Sequence, residues 1–247
     1  SWEWHFLLSS RRGEVEDFEE KDGSLGSAWI EQGGQQQHTQ SLFIFGLGYT
    51  GVAIASLIQR TCPWIRVLGT CRDEEKAMLF REEMDIEAYV FNSMEKPSPA
   101  CIQAVEKATF ILSSIPPNRD RTSSEYTDPV LGVFSNTIQK SDNLRWMGYL
   151  STTGVYGDHG GDWVDEGADT LAPVGTKPFL RKQAEDEWTA LMGSRSEAHS
   201  YEAPSHPHPP STEAKIFRLA GLYGPGRSAL DTVKREEVAA AAAAGGG

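Results

Sequence analysis

The chain has 247 residues, a formal net charge of −12 and a hydrophobic fraction of 39%, a length that suits one substantial α/β domain and not two full ones. No stripe of Lys and Arg offsets the acidity, which argues against a nucleic-acid partner, and no apolar run approaches a membrane span. Cys62, Cys71 and Cys101 include no Cys-x-x-Cys pair, so neither a disulfide framework nor a metal site is expected. The chain reads as soluble and intracellular, with the cytoplasm expected and an organelle left open because it begins at Ser1.

Residues 1–40 open with Trp2, Trp4 and Phe6, pass through the acidic stretch Glu14 to Asp22 and end in the polar run Gly33 to Gln40. They read as an extension outside the core, with a short added strand around Trp2 to Leu8 as the alternative. A domain over 41–233 follows. Its organising stretch is Ser41 to Gln59, SLFIFGLGYTGVAIASLIQ. Leu42 to Phe45 read as a buried strand, Gly46, Gly48 and Gly51 form Gly-x-Gly-x-x-Gly, and Val52 to Ile58 open an amphipathic helix. Gly46 permits the sharp exit from the strand, Gly48 lets a pyrophosphate approach the backbone, and Gly51 lets helix and strand pack closely. Gly46, Gly48, Tyr49, Thr50 and Gly51 are therefore candidate dinucleotide contacts, and a glycine-rich turn without ligand is the alternative.

Trp64 to Gly69 form a second strand, followed by Thr70, Cys71 and Arg72. An acid at the end of this strand takes the ribose 2′-hydroxyl of NAD, whereas an Arg accommodates the 2′-phosphate of NADP. No acid precedes Arg72, so NADP is expected, with Arg72 matching the phosphate and Thr70 adding a hydroxyl. NAD stays open, as does an Arg72 that merely faces solvent beside Asp73 and Glu74. Helices over Asp73 to Glu83 and Pro99 to Lys107 alternate with strands over Ile86 to Phe91 and Thr109 to Ile115, which predicts a doubly wound, mainly parallel Rossmann sheet. The fourth strand ends in Ser113, Ser114, Ile115, Pro116 and Pro117, at the carboxyl edge where ligands sit, and Ser114 is a candidate cofactor contact.

A helix over Asp128 to Lys140 leads to the fifth strand, Arg145 to Leu150, which runs into Ser151, Thr152 and Thr153. Hydroxyls there suit chemistry and cofactor contact, and they are equally common as caps and turns. Ser194 to Thr212 reads as a Pro/His-rich exposed insertion, whose His206 and His208 lack the companions a metal needs. Ala214 to Leu219 form the sixth strand, and 234–247 is a low-complexity tail of alanine and glycine.

Together, the glycine turn, Leu150 to Gly157 (LSTTGVYG) and Phe217 to Arg227 (FRLAGLYGPGR) resemble the extended and atypical short-chain dehydrogenase/reductases, the NAD-dependent epimerase/dehydratase superfamily, from Ser41 to about Val233. The resemblance implies an NAD(P)-bound Rossmann fold and a catalytic Ser or Thr, Tyr and Lys, the last two spaced Tyr-x-x-x-Lys. Thr152 matches the hydroxyl that holds the reacting oxygen. Tyr156 belongs to the VYG motif, and Gly160 stands where its Lys would be. On the next helix Lys177 falls at the Tyr position and Arg181 at the Lys position, so the catalytic Tyr is missing, as in the atypical branch. An Arg cannot release its proton and Lys177 would need strong desolvation, which leaves Arg181 to hold the nicotinamide ribose.

In the same resemblance the loop Gly157 to Glu166 (GDHGGDWVDE) lies over the substrate side. His159 there is a candidate substrate contact, acid or base, with an ordinary loop residue as the alternative. Tyr223 and Arg227 would face the substrate. The residues that complete the small substrate lobe beyond the YGPGR turn are not in this sequence, so that lobe is expected to be incomplete, either in a fragment or with a partner or second copy supplying the rest. The expected function is oxidoreductase or epimerase chemistry on a sugar-like or other small hydroxyl or carbonyl substrate. The alternative is a non-catalytic NADP-binding module that reports redox state to a protein partner.

Overall fold

Strands buried on both faces read as continuous apolar runs, and this is what a parallel sheet covered by helices requires. In the computed structural model, which describes residues 40–119, 126–199, 213–225 and 227–228, β1 (Gln40–Phe45) meets that requirement: Phe43, Ile44 and Phe45 are fully buried. The N-terminal extension with its optional strand, most of the Pro/His-rich segment and the low-complexity tail lie outside the described residues.

The sheet adds β2 (Ile65–Cys71), β3 (Glu87–Val90), β4 (Phe110–Ser113), β5 (Trp146–Thr152) and β6 (Glu213–Leu219). Their order is β3-β2-β1-β4-β5-β6, and every neighbouring pair is parallel. The chain moves outward from β1 through β2 to β3, then returns to place β4 on the other side of β1. The order reverses between β1 and β4, and in such sheets ligands usually sit at the carboxyl ends of the strands beside that reversal.

Among the described residues five helices connect the strands: α1 (Tyr49–Thr61), α2 (Glu74–Met84), α3 (Pro99–Glu106), α4 (Leu131–Gln139) and α5 (Lys177–His199). Side-chain caps fix where several of them start. The Asp73 carboxylate accepts the Lys76 N–H at 2.9 Å, and the Ser98 hydroxyl accepts the Cys101 N–H at 3.2 Å with Pro99 at the first helical position. Both follow the general preference for a short oxygen acceptor and an N-terminal proline.

Phe43 and Phe45 of β1 share a core with Ile111, Met147 and Tyr149, closed by Phe134 of α4 and by Ala184 and Trp188 of α5. Ring centroids of Phe45 and Phe134 lie 5.1 Å apart, and each fully buried Phe contributes about 2 kcal/mol of burial energy. Ile44, pointing the opposite way along the strand, meets α1 instead, at Gly51.

The alternation and the mainly parallel sheet expected from sequence are present, with element boundaries shifted by one to three residues. Helix α1 begins at Tyr49, three residues before Val52, and β2 and β5 continue two residues further, to Cys71 and Thr152. Helix α5 reaches His199, so the first residues of the segment read as an insertion are helical. A two-residue antiparallel ladder, Asn118–Arg119 with Tyr126–Thr127, had no sequence signal. Chain contacts divide the protein into Gln37–Ala220 and a second unit made of Ser1–Gln36 and Gly221–Gly247. In the second unit, Gly224 and Arg227 exchange two backbone hydrogen bonds of 2.9 Å.

Candidate functional site

The turn after β1 is built so that its main chain stays open. Gly46 has φ +90°, a conformation that favours glycine. Its N–H donates to the Thr70 hydroxyl at 3.0 Å, and the Leu47 N–H donates to the Thr70 carbonyl at 2.7 Å. From the other side the Ser114 hydroxyl donates to the Gly46 carbonyl at 2.7 Å and lies 3.1 Å from the Phe45 carbonyl. The three glycines then divide their tasks by space. A Cβ on Gly51 would stand 2.3 Å from the Gly46 carbonyl oxygen, and one on Gly46 would stand 2.8 Å from the Ser114 hydroxyl, whereas a Cβ on Gly48 would meet nothing within 4 Å. Gly46 and Gly51 are required by the protein itself. Gly48, at the N-cap of α1, is free of the protein and borders open space before a helix N-terminus, where N–H groups and the helix dipole favour an anion. That geometry fits a dinucleotide pyrophosphate, with Tyr49 and Thr50 forming the first turn of the helix.

Thr70 is only 1% exposed and Ser114 is half-buried. Both expected cofactor contacts therefore act on the turn, and Thr70, with its hydroxyl facing inward to Gly46, is not placed beside a 2′-phosphate. Arg72, one residue past β2, is exposed and makes no ion pair or hydrogen bond among the described residues. The nearby carboxylate of Asp73 is turned to α2, where it holds the Lys76 N–H and the Lys76 ammonium, the latter at 3.2 Å. These bonds hold its pKa below the usual carboxylate value.

At the end of β5 the hydroxyls divide as well. Ser151 is buried and donates to Glu185 of α5 at 2.5 Å, so this candidate belongs to an internal network and not to the ligand edge. Thr152 is half-buried and its oxygen accepts the Gly154 N–H at 3.2 Å, capping a 3-10 turn over Thr153–Tyr156; its own proton is left to donate. Lys177 opens α5, and Arg181 lies one turn further on. The Arg181 guanidinium donates to the Leu150 carbonyl at 2.6 Å and to the Tyr149 hydroxyl at 3.3 Å, stacked over the Tyr149 ring at 5.8 Å. Burial pushes the Tyr149 phenol well above its ordinary pKa.

Two buried acids were not legible as such. Asp128 is fully buried, accepts the Val130 and Leu131 N–H groups at 2.9 and 3.0 Å, and accepts the Trp188 indole N–H at 3.3 Å. Burial raises its pKa against those bonds. Glu185, 3% exposed, joins Ser151 to Arg218 of β6, with Arg218 Nη2 at 2.8 Å. Arg218 also lies 4.8 Å over the Tyr156 ring, and its bonds to Glu185 raise its pKa further. Their partners come from distant parts of the chain, Trp188 standing 60 residues from Asp128 and Arg218 33 residues from Glu185.

Arg218 and Tyr156 form part of the wall of a cavity of about 800 Å³ between β6 and the loop Gly157 to Glu166, which also includes Thr153 and His159. Gly157 starts that loop at φ +73°, and a Cβ there would stand 2.6 Å from the Leu171 carbonyl. The loop returns where the Leu171 and Ala172 N–H groups donate to the Tyr156 and Val155 carbonyls at 2.9 and 3.2 Å. Asp158 and Asp165 line the cavity, and their carboxylates hold the Gly160 and Gly167 N–H groups. Tyr223 and Arg227 belong to the second unit, where Tyr223 is exposed. Among the described residues no three His, Cys, Asp or Glu side chains gather as a metal site, and no helix is long and apolar enough to cross a membrane.

No family model and no curated protein matches the chain. Solved structures do. A functionally unknown conserved protein from Silicibacter pomeroyi is 31% identical over 79% of this chain and 57% of its own length, with a TM-score of 0.58. A candidate NAD-dependent epimerase/dehydratase from Methylobacillus flagellatus is 17% identical over 79% of this chain and 59% of its own, with a TM-score of 0.54. The UDP-glucuronic acid 4-epimerase from Bacillus cereus, solved in complex with NAD, is 10% identical over 81% of this chain and 64% of its own, again with a TM-score of 0.54. The chain thus spans about three-fifths of the length of the structures it resembles. Its structural neighbours include proteins of the NAD-dependent epimerase/dehydratase superfamily, and it shares their fold.

Proposed function

We infer that the chain is an NADP-binding member of this superfamily that acts as an oxidoreductase or epimerase on a small hydroxyl or carbonyl substrate. The observation that carries the reading is the contrast among the glycines. Two are packed against the protein itself, while Gly48 alone borders open space at a helix N-terminus. The preference for NADP over NAD rests on Arg72, exposed and unengaged among the described residues, beside an Asp73 whose carboxylate is held by its own helix. A guanidinium without a protein partner suits a 2′-phosphate, and a carboxylate committed to a cap is a poor acceptor for a ribose hydroxyl.

When bound, the dinucleotide supplies the hydride carrier. The chain's own residues do the remainder. Gly46 to Gly51 hold the pyrophosphate, Arg72 the 2′-phosphate, and Arg181, bonded to the Leu150 carbonyl of β5, the nicotinamide ribose. Thr152 retains a proton to donate to the reacting oxygen, and the cavity that starts at Thr153 takes the substrate.

Fluorescence titration with NADPH and NADH tests the cofactor, with NADPH favoured by wild type and the preference lost in Arg72→Ala. Equal affinity for both cofactors in wild type would remove Arg72 from the account. On any substrate found among alcohols, ketones and nucleotide sugars, Thr152→Val should reduce turnover about a hundredfold with cofactor affinity unchanged. The second reading, a cofactor-binding module without catalysis, is favoured by Arg181, a permanent cation at the position of the expected Lys, with no Tyr one turn before it. Tight NADPH binding without turnover of the whole panel would support that reading over the first.

A further inference from the structure

The missing Tyr leaves the proposed chemistry without a proton acceptor, because Thr152 and Arg181 cannot serve near neutral pH. The cavity contains a group that can. His159 lines it, and of the side chains in its wall the imidazole is the type that most often gives and takes a proton in catalysis.

The ring is also oriented. His159 Nε2 lies 3.1 Å from the Asp169 carbonyl oxygen. A carbonyl can only accept, so Nε2 carries the hydrogen, and in the neutral ring Nδ1 keeps its lone pair. That acceptor is a main-chain atom, and it is held in place where the loop closes, through Leu171 on Tyr156 and Ala172 on Val155. Nδ1 has no hydrogen bond among the described residues. The same cavity wall includes Thr153, the residue that follows Thr152 at the end of β5.

We propose that His159 is the general base and acid of the reaction, with Nδ1 as the working atom, in the place of the absent Tyr; this rests on the dinucleotide reading above. In the oxidising direction the substrate hydroxyl gives its proton to Nδ1. The carbinol carbon gives its hydride, with the bonding pair, to the oxidised nicotinamide, and the C–O single bond becomes C=O. In the reducing direction the imidazolium returns the proton to the oxygen as hydride arrives at carbon.

The test uses the full chain with bound NADPH and bromoacetone, a carbonyl compound whose bromide a free imidazole nitrogen displaces. Peptide mass spectrometry follows labelling at each histidine. The proposal expects saturable labelling at His159, about tenfold or more faster than that of N-acetylhistidine, since a base activated by its site acts above its solution rate. Labelling at or below the solution rate overturns it. On any substrate from the panel, His159→Gln should lower turnover about a hundredfold with NADPH affinity kept, and unchanged turnover overturns the proposal even if labelling succeeds. Labelling needs no turnover, so it decides the case where the panel yields no substrate. A wild type that binds no NADPH overturns the dinucleotide reading itself, whereas NADPH binding with His159 unlabelled overturns the base alone.

Discussion

The two ends of the carboxyl edge are built by opposite means. Around β1, α1 and β2 the side chains of Thr70 and Ser114 hold main-chain atoms of the glycine turn, and the main chain is what remains open to a ligand. Around β5, α5 and β6 the main chain is an ordinary parallel ladder, and side chains hold one another: Ser151 with Glu185, Glu185 with Arg218, Arg218 over Tyr156. A site made of backbone is fixed by where side chains are missing. A site made of side chains is fixed by which ones are present, and so it can change its substrate while the fold persists.

Substitutions can break that contrast, and the largest effect is expected at the glycine turn. Gly51→Val places a Cβ 2.3 Å from the Gly46 carbonyl and should cost about 3 kcal/mol or more in urea unfolding, because neither strand nor helix can give way. A cost under about 1 kcal/mol would mean that the helix shifts freely over β1. Next is the side-chain end. Glu185→Ala leaves Arg218 without its carboxylate and should cost about 2–3 kcal/mol; no loss of stability would show that the network orders the cavity wall without stabilising the fold.

Smaller effects sharpen the contrast. Arg72→Ala should weaken NADPH binding about tenfold, close to 1.4 kcal/mol, and leave NADH and unfolding unchanged, as expected of an exposed residue that only a ligand engages. The smallest effect is on pH dependence. Burial raises the native pKa of Asp128 above its unfolded value. Its contribution to stability is therefore fully present below the ordinary carboxylate pKa and is lost as pH rises through the native value. Unfolding free energies measured from about pH 4 to 7 should fall with pH from this group in wild type and lose that decline in Asp128→Asn. An identical pH profile in both would place the charge elsewhere.

How much of this was legible follows the same division. The alternation of strands with helices and the glycine turn rest on local patterns, a period of burial and a spacing of glycines, and both are visible in the sequence. Thr70 and Ser151 were legible as hydroxyls near strand ends but not in their direction. Each strand runs two residues further than its apolar run, which turns both hydroxyls inward. Asp128 and Glu185 look like surface acids in sequence, since their partners Trp188 and Arg218 come from distant elements. The tautomer of His159 depends on the Asp169 carbonyl, and no side-chain identity encodes it.

The measurement that bears most directly on the central claim is NADPH titration of Gly48→Val, with urea unfolding on the same protein. A Cβ there meets no atom within 4 Å beyond its own chain neighbours. The account predicts a loss of NADPH affinity of about tenfold or more at a stability cost of no more than about 1 kcal/mol, that of a poorer helix cap. NADPH affinity equal to that of wild type would contradict it, because the open space beside Gly48 would then not be where the dinucleotide binds.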